Sequence, residues 1–254
     1  MKCLVLSAGG MFGAYQAGAW KELSDVFQPD LIVGASVGAL NGWAIAGGCP
    51  PDDLIRRWLT LEEASEYRWK FPSGAFRGIL YSELLQRAIH DIYDSFRPKI
   101  DFALVTTELL TLRPRIFRAH EVTAEHLVAS TAIVGIFDQV RIEGRVHSDG
   151  GLLAAVPLWA AAELGATRTL VIDVWPEAPG IVVKVLVGAI RRVSRFRAIV
   201  PPGIEIWRIA PAAQLGTTRE SLYWTRSNAE KWIHAGATDA AAMKHSIANC
   251  FERK

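Results

Sequence analysis

The residues most able to do chemistry are Ser36, Asp149 and a cluster of glycines near the start of the chain. Ser36 sits in Gly34-Ala35-Ser36-Val37-Gly38, after an apolar run and before a stretch of helix formers. A strand that turns sharply into a helix can project a serine hydroxyl as a nucleophile and turn the helix's first amides toward an anion. The same string also fits an ordinary strand-to-helix corner. A nucleophile would need two partners, a proton acceptor and a cradle for developing negative charge.

The segment Ser7-Ala8-Gly9-Gly10-Met11-Phe12-Gly13 could supply the cradle. Its glycines permit turns that point backbone N–H groups at an anion. A dinucleotide site would want Gly-x-Gly-x-x-Gly and an acid at the end of the second strand. The spacing here is Gly-Gly-x-x-Gly, and Gly34-Ala35-Ser36 stands where the acid should be. Carboxyl ends of adjacent parallel strands lie together, so this turn and Ser36 are expected to be neighbours. An oxyanion hole is favoured over a merely tight turn.

The acceptor is less obvious. None of the six histidines falls in a loop that marks a Ser, Asp, His series, although Asp149 followed by His234 or His245 keeps that order. Asp149, in His147-Ser148-Asp149-Gly150-Gly151, is the best acidic candidate. Gly150 and Gly151 let the backbone turn sharply behind the carboxylate. Asp-Gly-Gly is also a common turn signal.

The elements that must hold these residues alternate. Residues 2–7 and 31–35 read as short buried strands, and 14–25 and 37–46 as helices, the second ended by Gly47-Gly48 and Pro50-Pro51. On the first helix Ala14, Ala17, Trp20 and Leu23 form one expected buried face. Strand, helix, strand, helix within 48 residues argues for a parallel sheet. The block 52–98 reads as polar and helical. Strands are expected at 101–107, at Ile116-Phe117, at 169–174 and at 204–209, with a hairpin or edge strand over 140–147. Helices are expected at 123–131, with Thr123 as N-cap, at 158–164, and over 219–254 as one long helix or two.

With these residues assembled, the chain resembles the patatin-like phospholipases. Four segments carry the likeness in the family's order: LSAGGMFGAYQAG, GASVGALNG, ASTAIVGIF and SDGGLLAAVPL, the last continued by ELGATRTLVIDV. The resemblance implies a three-layer α/β/α fold with a mainly parallel central sheet, spanning 1–254 as one domain with its catalytic core in about 1–175. It implies lipid acyl hydrolysis by a Ser36–Asp149 dyad without a catalytic histidine. The backbone around Gly9, Gly10, Met11, Phe12 and Gly13 is then the oxyanion hole. Gly34, Gly38, Gly150 and Gly151 support the two turns. No metal or organic cofactor is implied. The chain departs from the family's pattern at Ala8, where glycine is usual, and at Phe12, where Arg or Lys is usual. It also departs at Val134, often Pro, and in the run ending at Ala155, where Asn is often found. Two alternatives stand beside this reading: a lipid-binding or regulatory protein on the same fold, which Phe12 and Ala155 motivate, and an acyltransferase.

Composition narrows the classes. The chain has 254 residues, half of them hydrophobic, enough for a packed core. A net charge of +2 makes no case for nucleic acid. Three scattered cysteines have neither metal-ligand nor disulfide spacing, which suits a reducing compartment, and a cytoplasmic location is expected. The uncharged segment 31–51 is long enough to span a bilayer but reads better as strand, turn and helix. Within 184–197, Leu186, Ile190 and Val193 fall at helical spacing among Arg191, Arg192, Arg195 and Arg197. That basic amphipathic stretch is expected to be either a solvated helix face or a peripheral membrane contact.

Overall fold

The computed structural model describes residues 1–61, 68–69, 76–174 and 188–252. Its centre is an eight-stranded sheet of order β10-β9-β1-β2-β5-β8-β7, with β6 paired to β5. The strands are β1 (Lys2–Leu6), β2 (Leu31–Ala35), β5 (Asp101–Glu108), β6 (Arg113–Arg118), β7 (Val140–Ile142), β8 (Arg145–Ser148), β9 (Arg168–Ile172) and β10 (Glu205–Ile209). Five run parallel, namely β10, β9, β1, β2 and β5, while β6, β7 and β8 are antiparallel additions.

Strands β1, β2, β5 and β9 are buried on both faces because helices cover both, while β10 lies largely exposed at the edge. Leu4, Leu6, Ile32, Phe102 and Leu104 point toward α1 (Gly13–Leu23), α2 (Val37–Ala46), α3 (Pro51–Leu59), α4 (Glu83–Ser95), α5 (Ala124–Thr131) and α7 (Arg226–Glu252). Cys3, Val5, Val33, Ala103 and Val105 point the other way, toward Trp159, Ala160 and Ala161 of α6 (Leu158–Glu163). This is the α/β/α sandwich. The order explains the layering: chain progress from β1 to β2 to β5 moves one way across the sheet, and α6 then carries the chain back to β9 on the other side of β1.

Three expectations change. Helix α1 is buried on nearly every side rather than one face, because the long α7 closes over it. A Cβ on Gly18 would stand 2.0 Å from the Ile233 carbonyl oxygen, and one on Gly236 would stand 2.0 Å from that of Tyr15. These two glycines let the backbones of α1 and α7 touch. The block 52–98 is not purely helical. Between α3 and α4 an antiparallel pair joins β3 (Arg68–Trp69) to β4 (Leu80–Tyr81), too short to show a sequence period. Finally, the strand expected at Ile116-Phe117 extends over all of β6, whose exposed Arg113, Arg115 and Arg118 hide it from a hydrophobicity reading.

Candidate active site

Ser36 occupies the turn between β2 and α2 with φ 54° and ψ −129°. A non-glycine residue in that region is strained, by about 1–3 kcal/mol, and persists only where neighbours fix it. Here they do. A Cβ on Gly38 would lie 2.3 Å from the Leu6 carbonyl oxygen, so only glycine lets α2 start this close to β1. The Ser36 N–H donates to Ser130 Oγ at 3.0 Å, and Ser130 Oγ donates in turn to the Val105 carbonyl at 2.8 Å.

Strand register brings Asp149 to Ser36. Strand β2 runs along one edge of β5 and ends with Ala35 opposite Val105. Strand β8 runs the opposite way along that edge and ends with Ser148 opposite Thr107. The other edge of β5 is taken by β6. The chains leaving β2 and β8 therefore meet head to head beside Thr106, and the residues they meet with are Ser36 and Asp149. The Ser36 side chain faces the Asp149 carboxylate, close enough to hold its pKa down. Backbone bonds hold the aspartate: Thr107 Oγ1 donates to its carbonyl at 3.0 Å, and its N–H donates to Ala132 O at 2.9 Å. The Gly151 N–H donates to Oδ1 at 2.7 Å, and the Gly150 N–H to Ser130 O at 3.1 Å.

Burial dominates the electrostatics of Asp149. Desolvation pushes its carboxyl up from 3.8 to about 6, against the lowering effect of the Ser36 hydroxyl and the Gly151 N–H. No histidine is among the described partners of either residue. His147 pairs through Nδ1 with Thr106 Oγ1 at 2.9 Å, and His126 Nδ1 accepts the Thr123 N–H at the start of α5.

The glycine-rich turn follows β1 and forms one 3-10 turn, Gly10–Phe12. Its amides are unequal. Met11 N–H donates to the Ser221 carbonyl at 2.9 Å, Phe12 N–H to Gly9 O at 3.2 Å, and Gly13 N–H to Gly10 O. The N–H groups of Gly9 and Gly10 have no acceptor among the described residues. Gly10 has φ 56°, and a Cβ there would sit 2.1 Å from the Ser221 oxygen. The turn is tied to the loop after Asp149 by Ala8 N–H donating to Ala155 O at 2.8 Å. Phe12 points into the core. Its ring meets Trp232 of α7 edge to face, with centroids 4.9 Å apart.

A buried polar chain braces this turn. Gln16 Nε2 donates to Ser7 O at 2.8 Å, while Asn41 Nδ2 donates to both Gly13 O and Gln16 Oε1 at 2.9 Å. Trp58 Nε1 donates to Asn41 Oδ1 at 3.1 Å, and Trp224 Nε1 to the Trp58 carbonyl at 2.9 Å. Trp58 and Trp224 line an apolar cavity of about 130 Å3 that Ser36, Gly10 and Met11 also border. Leu40, Leu54, Leu85 and Ile92 make its greasy walls.

Sequence reasoning did not single out Gln16, Asn41, Ser130 or Ser221. Gln16 and Asn41 left a usable signal, a lone amide side chain on an otherwise apolar helix. Ser221 left none, being 210 residues from Met11. Among the described residues no group of three or more His, Cys, Asp or Glu side chains could hold a metal ion, and no helix is long and apolar enough to cross a membrane.

Comparison with known proteins adds the family context. A family model described as patatin-like phospholipase matches residues 4–162. An uncharacterized NTE family protein of Mycobacterium bovis is 28% identical over 174 residues, which are 67% of this chain and 48% of that protein. One from Mycobacterium tuberculosis gives the same figures. The chain thus matches about half the length of these relatives. Among solved structures, VipD from Legionella pneumophila aligns with 98% of this chain and 67% of its own, at TM-score 0.47 and 11% identity. The type III effector protein ExoU aligns with 97% and 53%, at TM-score 0.44 and 9% identity.

Proposed function

Since this chain belongs to the patatin-like phospholipase family, we propose that it hydrolyses carboxylic esters of acyl lipids with Ser36 as nucleophile and Asp149 as base. The observation that carries the reading is the strained Ser36, its side chain facing a buried carboxylate, at the wall of an apolar cavity.

The ester carbonyl sits at Ser36 with its acyl chain in the cavity. Asp149 begins ionised and takes the hydroxyl proton as Ser36 Oγ bonds to the carbonyl carbon. The carbonyl electron pair moves to oxygen, and that oxyanion faces the N–H groups of Gly9 and Gly10 and the first amides of α2. Of the five residues in the glycine segment, these two have the amides left for the task. One well-placed donor contributes about 3 kcal/mol to such a transition state. As the intermediate collapses, the ester C–O bond breaks and the leaving alcohol takes the proton from Asp149. Water then attacks the acyl-serine and gives its proton to Asp149. The second collapse releases the fatty acid and returns the proton to Ser36. A carboxyl near 6 is mostly ionised at neutral pH and more basic than an ordinary aspartate, which suits both steps.

The test is turnover of p-nitrophenyl esters by purified protein. Ser36→Ala and Asp149→Asn should each abolish it while leaving a folded chain. Full activity in Asp149→Asn would remove the dyad. Lipid binding with no turnover by the unaltered chain would favour a non-catalytic lipid-binding role.

A further inference from the structure

Residues 178–204 contain five basic side chains, Lys184, Arg191, Arg192, Arg195 and Arg197, and no acid. Residues 109–118 contain three more, Arg113, Arg115 and Arg118, and again no acid. The structure joins the described parts of these two runs. Residues 188–193 are helical, and the buried Ser194 donates its hydroxyl to the Leu112 carbonyl at 2.9 Å. Phe196 anchors the segment from below, its ring 4.9 Å from that of Trp159. Among the described residues, none of Arg191, Arg192, Arg195 and Arg197 pairs with a carboxylate.

The apolar side chains here are placed where water should disfavour them. Leu110 is 73% exposed, Val193 74% and Ile199 72%. They are the three most exposed large hydrophobic residues among those described, and each lies within five residues along the chain of the Ser194–Leu112 bond. Exposed apolar side chains close in sequence to cations that meet no described carboxylate mark an interaction surface. The combination matches an anionic bilayer, which offers phosphates to the guanidinium groups and hydrocarbon to the side chains between them.

Position relates this surface to the site. The turn carrying Leu110 follows the carboxyl end of β5, the same edge of the sheet at which Ser36 follows β2. Arg191 Nε reaches the Leu152 carbonyl at 3.3 Å, three residues past Asp149. A protein resting on Leu110, Val193 and Ile199 therefore brings the sheet edge that holds Ser36 to the membrane.

We propose that this surface docks the protein on anionic membranes, with Leu110, Val193 and Ile199 entering the bilayer and Arg191, Arg192, Arg195 and Arg197 holding lipid phosphates. The choice of a bilayer over other polyanions rests on the lipid-hydrolase reading. The experiment is vesicle co-sedimentation of the full chain bearing Ser36→Ala, so that no lipid is consumed. Vesicles of phosphatidylcholine with phosphatidylserine should sediment the protein at low salt, and those of phosphatidylcholine alone far less. Arg192→Glu with Arg195→Glu should weaken binding about tenfold or more. Leu110→Asp with Val193→Asp should abolish the part that survives high salt. All four positions are exposed, so folding is spared, and in a Ser36 background both pairs should keep the parent's rate on a soluble p-nitrophenyl ester. Unaltered vesicle binding in both variants would overturn the proposal, as would tighter binding to RNA than to vesicles. Loss of ester turnover in the parent would instead count against the hydrolase reading and leave the vesicle result to stand or fall alone.

Discussion

At the scale of single residues the balance lies in Asp149, whose burial serves chemistry at the expense of the fold. Its carboxyl is raised from 3.8 to about 6 by desolvation. Only the ionised form can accept the Ser36 proton, so kcat/KM for a soluble ester should rise with pH through a midpoint near 6. A flat profile from about pH 5 to 7 would contradict the assignment. The stability effect has the opposite sign. A carboxyl whose folded pKa exceeds its unfolded value binds its proton more tightly in the native state. Its contribution is fully present below 3.8 and lost as pH rises through about 6. Ionised Asp149 therefore destabilises the protein above that pH, by roughly 3 kcal/mol. Asp149→Asn should raise Tm at pH 8 (about two pH units above the titration) and raise it less in acid. A variant that melts lower at pH 8 than the unaltered chain would show that the carboxylate holds the loop together.

At the scale of elements, the site depends on how firmly the glycine-rich turn is held against α1 and α2. Asn41 reaches from α2 to Gly13 O and to Gln16 of α1, and accepts from Trp58. Removing it leaves buried donors and acceptors unpaired, which costs about 1–3 kcal/mol for each group. Asn41→Ala should lower Tm and reduce kcat about tenfold or more, with KM little changed, because the amides of Gly9 and Gly10 lose their backing. If kcat per folded molecule is unchanged, the network serves stability alone. Phe12 belongs to the same scale. The position where the family usually carries a cation is here 1% exposed against Trp232, so the aromatic anchors the turn to α7 rather than facing substrate.

At the scale of the whole molecule, the sequence foretold the sheet's parallel half better than its antiparallel half. Runs such as LIVGA and DFALVTT, punctuated by glycine and proline, defined β2, β5, α1 and α2 to within a few residues. The extent of β6 escaped because its outward arginines break the apolar pattern. Ser36 and Asp149 were legible as motifs. What joins them was not, since the meeting of β2 and β8 along β5 is a matter of register, which one sequence does not encode locally. The C-terminal contribution was hidden for a similar reason. Ser221 and Trp224 lie beyond the matched family region of 4–162, yet one binds Met11 and the other lines the cavity. The tail 219–254 is read as one helix or two; its described part, 219–252, is a short turn followed by the single helix α7. The central claim is that Ser36 is an activated nucleophile, and covalent labelling tests it most directly. A fluorophosphonate should attach to the unaltered protein at one peptide, mapped by mass spectrometry to Ser36, and should label Asp149→Asn far more slowly. Attachment at another serine, or no attachment to a folded protein, would contradict it.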